Sequence, residues 1–132
     1  MLYDALTDLT PVSGGWTDDK KYRAVGPDGS EYFLRIASTE RGPRLERAFR
    51  AQTAAYDLGL LVARPVDCGP CGEGFYALEA WISGADPQEI LPNLPKPEVY
   101  AHGLEAGRIL KKLKKSACFF KSGVLYCVQY LR

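Results

Sequence analysis

Hydrophobic and polar side chains alternate with a period of two in the first third of this chain. The alternation is clearest over residues 31–37, where one basic residue, Arg35, lies among apolar neighbours. A second β-like segment covers residues 20–25, and the glycine-rich turn 26–29 joins the two. Strands with this period bury one face, and glycine allows the positive φ of a tight turn. The pattern therefore predicts a β-hairpin.

The spacing of apolar residues becomes helical further along the chain. Intervals of three and four residues predict helices over 44–58 and 98–114, and Gly59 is suited to end the first of them. Residues 1–11 carry leucines at the same spacing and are predicted to form a short helix. Another short helix is predicted over 86–91, because an aspartate followed by a proline is typical of a helix start.

Two more β-like segments lie between the long helices. Residues 65–68 and 75–82 are predicted strands, and the glycine-rich segment 69–74 is predicted to be the turn between them. A proline-rich connector, 93–97, precedes the last helix. The order of strands, helix, strands, linker and helix predicts an α+β fold with an antiparallel sheet.

The composition argues against several classes of function. Seventeen basic and sixteen acidic residues give a net charge of +1, so there is no electrostatic basis for binding nucleic acid or an anionic membrane. No apolar run approaches the roughly 20 residues that span a bilayer. The N-terminus lacks the basic segment of a signal peptide. Four cysteines without such a signal predict reduced thiols and a cytoplasmic protein.

The cysteines and the single histidine suggest two other kinds of chemistry. Cys68 and Cys71 enclose Gly-Pro in the CxxC pattern of thiol redox proteins, but that chemistry places the thiol at a helix N-terminus, and a β-like segment follows here. A metal site that adds Cys118 and Cys127 lacks a second closely spaced pair. His102 has no neighbours that resemble a catalytic triad. A turn with incidental thiols and a packed helical histidine are the simpler interpretations.

A glycine pair next to a strand with a basic side chain is a plausible device for holding phosphate. Gly14 and Gly15 would let backbone N–H groups approach an anion, and Arg35 would pair with its oxygens. The simpler interpretation of Arg35 is an ion-paired strand residue, and that of Glu46 is a solvated helix face.

Four segments taken together resemble the aminoglycoside phosphotransferase family, which has the protein-kinase-like fold. They are GWTDDKKY (15–22), FLRI (33–36), ARPVD (63–67) and EAWISGAD (79–86), in the family's order and spacing. The resemblance covers about residues 10–115. It implies an α+β nucleotide-binding lobe with an antiparallel five-stranded sheet and one packed helix. The implied divisions are the lobe at 1–82, a hinge and linker at 83–97, the first helix of a second lobe at 98–115, and an atypical tail at 116–132.

The resemblance also implies an ATP site. The glycine loop would cover the phosphates. Arg35 would take the place of the strand cation that contacts the α- and β-phosphates. Glu46 would orient Arg35, although similar proteins could carry this acid at the position of Arg50. The hinge backbone would read the adenine edge, with Ile36 and Leu78 against the base. The residues implied in cofactor binding are Gly14, Gly15, Trp16, Thr17, Asp18, Arg35, Ile36, Glu46, Glu79, Ala80, Trp81 and Ile82.

The chain departs from the family pattern beyond residue 115. Family members continue with a His-Gly-Asp-type catalytic loop and metal ligands, and these motifs do not follow here. The expectation is a truncated phosphotransferase that binds ATP weakly and does not transfer phosphate. Mg²⁺ and a small hydroxylated substrate (an aminoglycoside, a choline-like alcohol or a sugar alcohol) are expected only of the full-length parent. The helix 98–114 would expose an apolar face and favour self-association. A non-enzymatic interaction domain is the remaining alternative.

Overall fold

The part of the chain that the computed structural model describes, residues 1–15, 17–72 and 74–115, contains a five-stranded sheet, three α-helices and two short 3-10 helices. The strands are β1 Thr7–Pro11, β2 Lys20–Val25, β3 Glu31–Ala37, β4 Pro65–Cys71 and β5 Gly74–Ala80. The α-helices are α1 Gly42–Asp57, α2 Pro87–Ile90 and α3 Lys96–Lys115, and the 3-10 helices are Leu2–Ala5 and Leu91–Asn93.

The sheet has the strand order β1-β2-β3-β5-β4, and every neighbouring pair is antiparallel. The α+β fold class and the five-stranded antiparallel sheet are therefore confirmed. Strands β2 and β3 have the predicted bounds, and the turn between them is closed by a bond from the Gly26 N–H to the Ser30 carbonyl at 2.8 Å. Gly29 has a φ of +82°, as the turn requires.

The hydrophobic core lies on one face of the sheet. Because side chains alternate along a strand, every second residue of β3 and β5 points to this face. The buried cluster consists of Ala24, Tyr32, Leu34, Ile36, Tyr76 and Leu78. The Tyr3 ring stacks on Tyr76 with the centroids 4.5 Å apart, so the N-terminal 3-10 helix helps to cover the core.

Helix α1 packs against β4 and β5 on the opposite face. Gly42 in its first turn is buried, and a Cβ there would lie 3.0 Å from Phe75 Cβ, which explains why a residue without a side chain begins the helix. Gly59 follows the C-cap residue Leu58 with a φ of +77°, so the predicted helix end is confirmed.

The prediction of a helix over residues 1–11 is wrong for its second half. Only Leu2–Ala5 forms a 3-10 turn, and Thr7–Pro11 pairs with β2 as an edge strand. Leu2 and Leu6 pack against the core, whereas Leu9 is half exposed. Backbone pairing with β2 outweighs the helical spacing of these leucines, because a five-residue helix is unstable alone.

The second hairpin also differs from its prediction. Strand β4 continues through Cys71, so the turn is confined to the residues that follow it, and β5 ends at Ala80 rather than at residue 82. Gly69 was expected in the turn but is a buried strand residue against the Tyr76 ring. A pairing partner, which a single segment does not reveal, decides how far a strand extends.

The chain divides into two compact units, of which the second begins at Ile82. Asp86 caps α2 by accepting a bond from the Gln88 N–H at 2.8 Å, as predicted. Helix α3 exposes three apolar side chains, Val99, Tyr100 and Leu104. Self-association through this helix stays a prediction. Within the described residues, no helix combines the length and apolar character needed to cross a membrane.

Candidate functional site

A glycine loop connects β1 to β2. Gly14 and Gly15 have φ values of +100° and +89°, a region that residues with a side chain rarely adopt. The Lys21 ammonium donates to the carbonyl oxygens of Gly14 at 2.7 Å and Thr17 at 3.4 Å. A Cβ on Gly15 would lie 2.6 Å from Lys21 Nζ, so glycine is also what lets this ammonium approach the loop.

Lys21 stands directly opposite Arg35 in the β2–β3 pairing. Directly opposed residues of antiparallel strands share a face and lie close together, so two cations here repel each other. Burial lowers the pKa of Lys21, and the neighbouring positive charge of Arg35 lowers it further, although Asp19 and Asp18 oppose the shift. The sheet therefore carries a pair of like charges beside the glycine loop.

Arg41, the N-cap residue of α1, connects the helix start to the same loop. Its Nη1 atom lies 3.5 Å from Asp18 Oδ2 and 3.9 Å from Asp19 Oδ1. The Asp18 side chain is fully exposed, whereas that of Asp19 is 7% exposed. Asp18, one of the predicted loop residues, thus lies within ion-pair distance of the residue that caps α1.

Two aromatic rings, Phe33 and Trp81, lie on the same face of the sheet as Lys21 and Arg35. Phe33 precedes Arg35 by two residues on β3, and the guanidinium of Arg35 lies 5.7 Å from the centre of the Phe33 ring. The Trp81 ring is 6.2 Å from Phe33, and the Arg23 guanidinium lies 5.0 Å above Trp81. Arg23 also forms an ion pair with Glu31, so its charge is partly neutralised.

A partly buried carboxylate, that of Glu79, lies at the end of this face near α1. Glu79 Oε2 accepts a hydrogen bond from Gln52 Nε2 at 2.5 Å, and the same amide donates to the Ala63 carbonyl at 2.8 Å. Burial raises the pKa of Glu79, while the Gln52 hydrogen bond and the positive charge of Arg35 oppose that rise. The pKa of Glu79 therefore depends on both Gln52 and Arg35.

Two of the predicted site residues, Ile36 and Glu46, make other contacts in the structure. Ile36 and its predicted companion Leu78 point to the opposite face and are packed in the core, because neighbouring strand residues alternate. Glu46 on α1 accepts a bond from Arg50 at 2.7 Å, and its charge contributes to raising the pKa of Cys68 on β4. Trp16 lies outside the described residues.

The predicted hinge begins in β5 and extends beyond it. The N–H groups of Ala80 and Trp81 donate to the carbonyls of Arg64 at 2.9 Å and Glu31 at 3.1 Å. These two donors are therefore used by the protein itself, and recognition of an adenine edge would fall to other groups of the segment. Ile82, the first residue of the second unit, is exposed.

Two residues that share the face of Arg35, Phe33 and Lys21, were not among the predicted site residues. Phe33 could have been predicted from the sequence, because it precedes Arg35 by two residues and residues i and i+2 of a strand share a face. Lys21 required the strand register: a shift of one residue would have turned it to the core face.

The CxxC pattern does not form a dithiol site. Cys68 pairs with Ala77 and Cys71 with Gly74, so the two thiols are three residues apart in one extended strand, about 10 Å at the usual rise. A disulfide needs Cα atoms within about 7 Å. Burial raises the pKa of Cys68, and the charges of Glu46 and Asp67 raise it further. A raised pKa disfavours the reactive thiolate.

Oxidation should therefore give no internal disulfide between Cys68 and Cys71. After treatment with oxidised glutathione, peptide mass spectrometry is expected to show free thiols or glutathione adducts at these positions, since β4 would have to unfold before they could meet. The reduced chain is the control. A peptide containing both cysteines that has lost two hydrogens would contradict this geometry.

The described residues contain no group of three or more His, Cys, Asp or Glu side chains placed to hold a metal ion. Cys118 and Cys127, two members of the four-cysteine site considered above, lie outside the described residues. The face built by Lys21 and Arg35 is instead suited to an anion.

A five-stranded antiparallel sheet with one packed helix and a glycine loop beside a strand cation is the arrangement of the nucleotide lobe of protein-kinase-like proteins. A family model described as "Phosphotransferase enzyme family" matches residues 8–120, and the chain belongs to this family. The resemblance found in the sequence is thereby confirmed. No match was found among curated proteins or among solved structures.

Proposed function

We propose that the first unit of this chain binds ATP, with its phosphates on Lys21 and Arg35 beneath the Gly14-Gly15 loop. One observation carries the proposal: two cations stand opposite each other on neighbouring strands, beside a loop whose glycines adopt positive φ. Opposed like charges destabilise a sheet. A polyanion that binds between Lys21 and Arg35 would offset the repulsion between the two charges. The opposed cations are therefore suited to binding a polyphosphate.

Phosphate suits this face because it offers several oxygens to donors that come from different directions. The Arg35 guanidinium can bind two oxygens at once, while the Lys21 ammonium acts as a point charge at the loop. Asp18 and Asp19 already engage Arg41, which limits their repulsion of an anion.

The adenine would lie against Phe33 rather than against Ile36. Phe33 is half-buried, shares the face of Arg35 and is followed by a second ring, Trp81, at 6.2 Å. Aromatic rings stack on bases of any identity. The order of aromatic and cationic groups along one face therefore corresponds to the order of base and phosphates in a nucleotide.

The chemistry proposed for the parent enzyme is ATP-dependent phosphorylation of a hydroxyl on a small molecule such as an aminoglycoside, a choline-like alcohol or a sugar alcohol. Family membership supports phosphotransfer as the class of reaction. No His-Gly-Asp sequence occurs in these 132 residues. Transfer needs an aligned base and Mg²⁺ to neutralise the developing charge. We therefore propose that these 132 residues bind nucleotide without catalysing transfer.

Nucleotide binding can be tested by thermal unfolding with adenosine, ADP, ATP and inorganic tripolyphosphate. The stabilisation is expected to increase from adenosine to ADP to ATP, because each phosphate adds contacts to the cations. A ligand at a hundred times its Kd stabilises by about 2.7 kcal/mol. Tripolyphosphate should also stabilise, and added salt should weaken both effects. Equal midpoints with and without all four compounds would instead favour the non-enzymatic interaction domain.

A further inference from the structure

We infer that Glu79 on β5, rather than an acid on α1, is the carboxylate that positions the Arg35 guanidinium for phosphate, with Gln52 holding it in place. This inference rests on the proposed function, since it assigns Arg35 a phosphate to meet. It makes Glu79 a positioning residue that acts through Arg35.

The register of the central strands supports this pairing. Phe33 stands directly opposite Glu79, and Arg35 stands opposite Ala77. The guanidinium carbon of Arg35 lies 5.7 Å from the centre of the Phe33 ring. Phe33 belongs to the cross-strand row that contains Glu79. Diagonal neighbours across antiparallel strands are within reach of long side chains.

The Glu79 carboxylate is held by a second contact. Gln52 extends from α1 and places its amide nitrogen 2.5 Å from Glu79 Oε2 and 2.8 Å from the Ala63 carbonyl. Because the Gln52 amide donates to both the Ala63 carbonyl and Glu79, it restricts the position of the Glu79 carboxylate. Partial burial raises the pKa of the Glu79 carboxyl, and the positive charge of Arg35 opposes that rise.

The candidate carboxylate on α1 already has a partner on its own helix. Glu46 accepts a bond from Arg50 at 2.7 Å, one turn further along. Helix α1 would then act on Arg35 indirectly, through the hydrogen bond from Gln52 to Glu79, and not through a direct ion pair between an α1 carboxylate and Arg35.

The test compares Glu79→Gln with Glu46→Gln, and Glu105→Gln on α3 provides a charge-matched control because Glu105 is exposed and paired with Arg108. The readout is the ratio of ATP to adenosine affinity by calorimetry. A carboxylate that only adds negative charge would weaken ATP binding, so its removal would raise the ratio. A carboxylate that positions Arg35 has the opposite effect. Glu79→Gln is expected to lower the ratio by on the order of fivefold, within the range of coupling between neighbouring charged residues.

A ratio that rises or is unchanged in Glu79→Gln, or a larger fall in Glu46→Gln, would overturn the inference. A second measurement separates it from the proposed function. In ¹³C carboxyl NMR titrations, Arg35→Met is expected to raise the pKa of Glu79, because the positive charge of Arg35 opposes the effect of burial. If the wild-type chain shows no preference for ATP, the proposed function fails, whereas the titration still decides whether Glu79 is the partner of Arg35.

Discussion

Replacing both Lys21 and Arg35 by methionine is expected to weaken ATP binding by about 100-fold or more and to leave adenosine binding nearly unchanged. A hydrogen bond to a charged group contributes about 1.5–3 kcal/mol, so losing two of them gives an effect of this size. Methionine has an unbranched chain of similar length, which preserves much of the apolar packing of both side chains.

Calorimetric affinities for ATP and adenosine measure this difference directly. A suitable control is the double substitution Arg108→Met with Lys111→Met on α3, which removes the same charge from exposed positions. It should reduce ATP affinity only through the weak long-range field, and the reduction should vanish in salt. Equal losses for ATP and adenosine, or equal losses in both double variants, would show that the cation pair does not bind phosphate.

Arg35→Lys distinguishes charge from geometry at the same site. Lysine keeps the positive charge but lacks the planar fork, so ATP affinity should fall between those of the wild type and Arg35→Met. This intermediate value is the signature of an arginine that binds two phosphate oxygens.

Replacing Gly74 by alanine is expected to destabilise the first unit by about 3 kcal/mol or more, a loss typical of severe backbone strain. Gly74 begins β5 with a φ of +149°. A Cβ at this position would overlap the carbonyl oxygen of Ala37 and lie 2.8 Å from the Ser38 carbonyl carbon. Both neighbours are backbone atoms of β3 and its exit, so no side chain can rotate to make room.

Gly72 provides a control in the same hairpin. A Cβ on Gly72 meets no atom within 4 Å, so Gly72→Ala should change the free energy of unfolding by less than about 1 kcal/mol. Urea unfolding followed by tryptophan fluorescence and circular dichroism gives both values. Equal stabilities of the two variants would mean that β5 does not approach β3 as closely as described. Gly74→Ala should also weaken ATP binding, because β5 pairs with β3, the strand that carries Arg35.

Sequence patterns predicted correctly those elements whose formation depends on residues close together in the chain. Strands β2 and β3 were predicted with their observed bounds, because period-two alternation and a glycine turn are properties of a short segment. The same holds for the Asp86 cap and for Gly59 at the end of α1. Strand β1 was missed, since it depends on pairing with β2 and carries leucines at helical spacing.

The site was predicted less completely than the fold. Arg35 and the glycine loop could be recognised from residue type and position in the family pattern. Ile36 was assigned to the wrong face, an error that strand alternation alone would have corrected. Lys21 and Glu79 acquire their roles from the strands opposite them, and a strand does not reveal which residue will face it.

By itself, the sequence determined the family, the α+β class, the central hairpin and the presence of a glycine loop beside a basic strand. Only the assembled sheet decided that two cations share one face and that Phe33 extends this face. The reason is that secondary structure follows from neighbours along the chain. A charged site depends on distances between strands that are far apart in the sequence and meet only when the sheet is assembled.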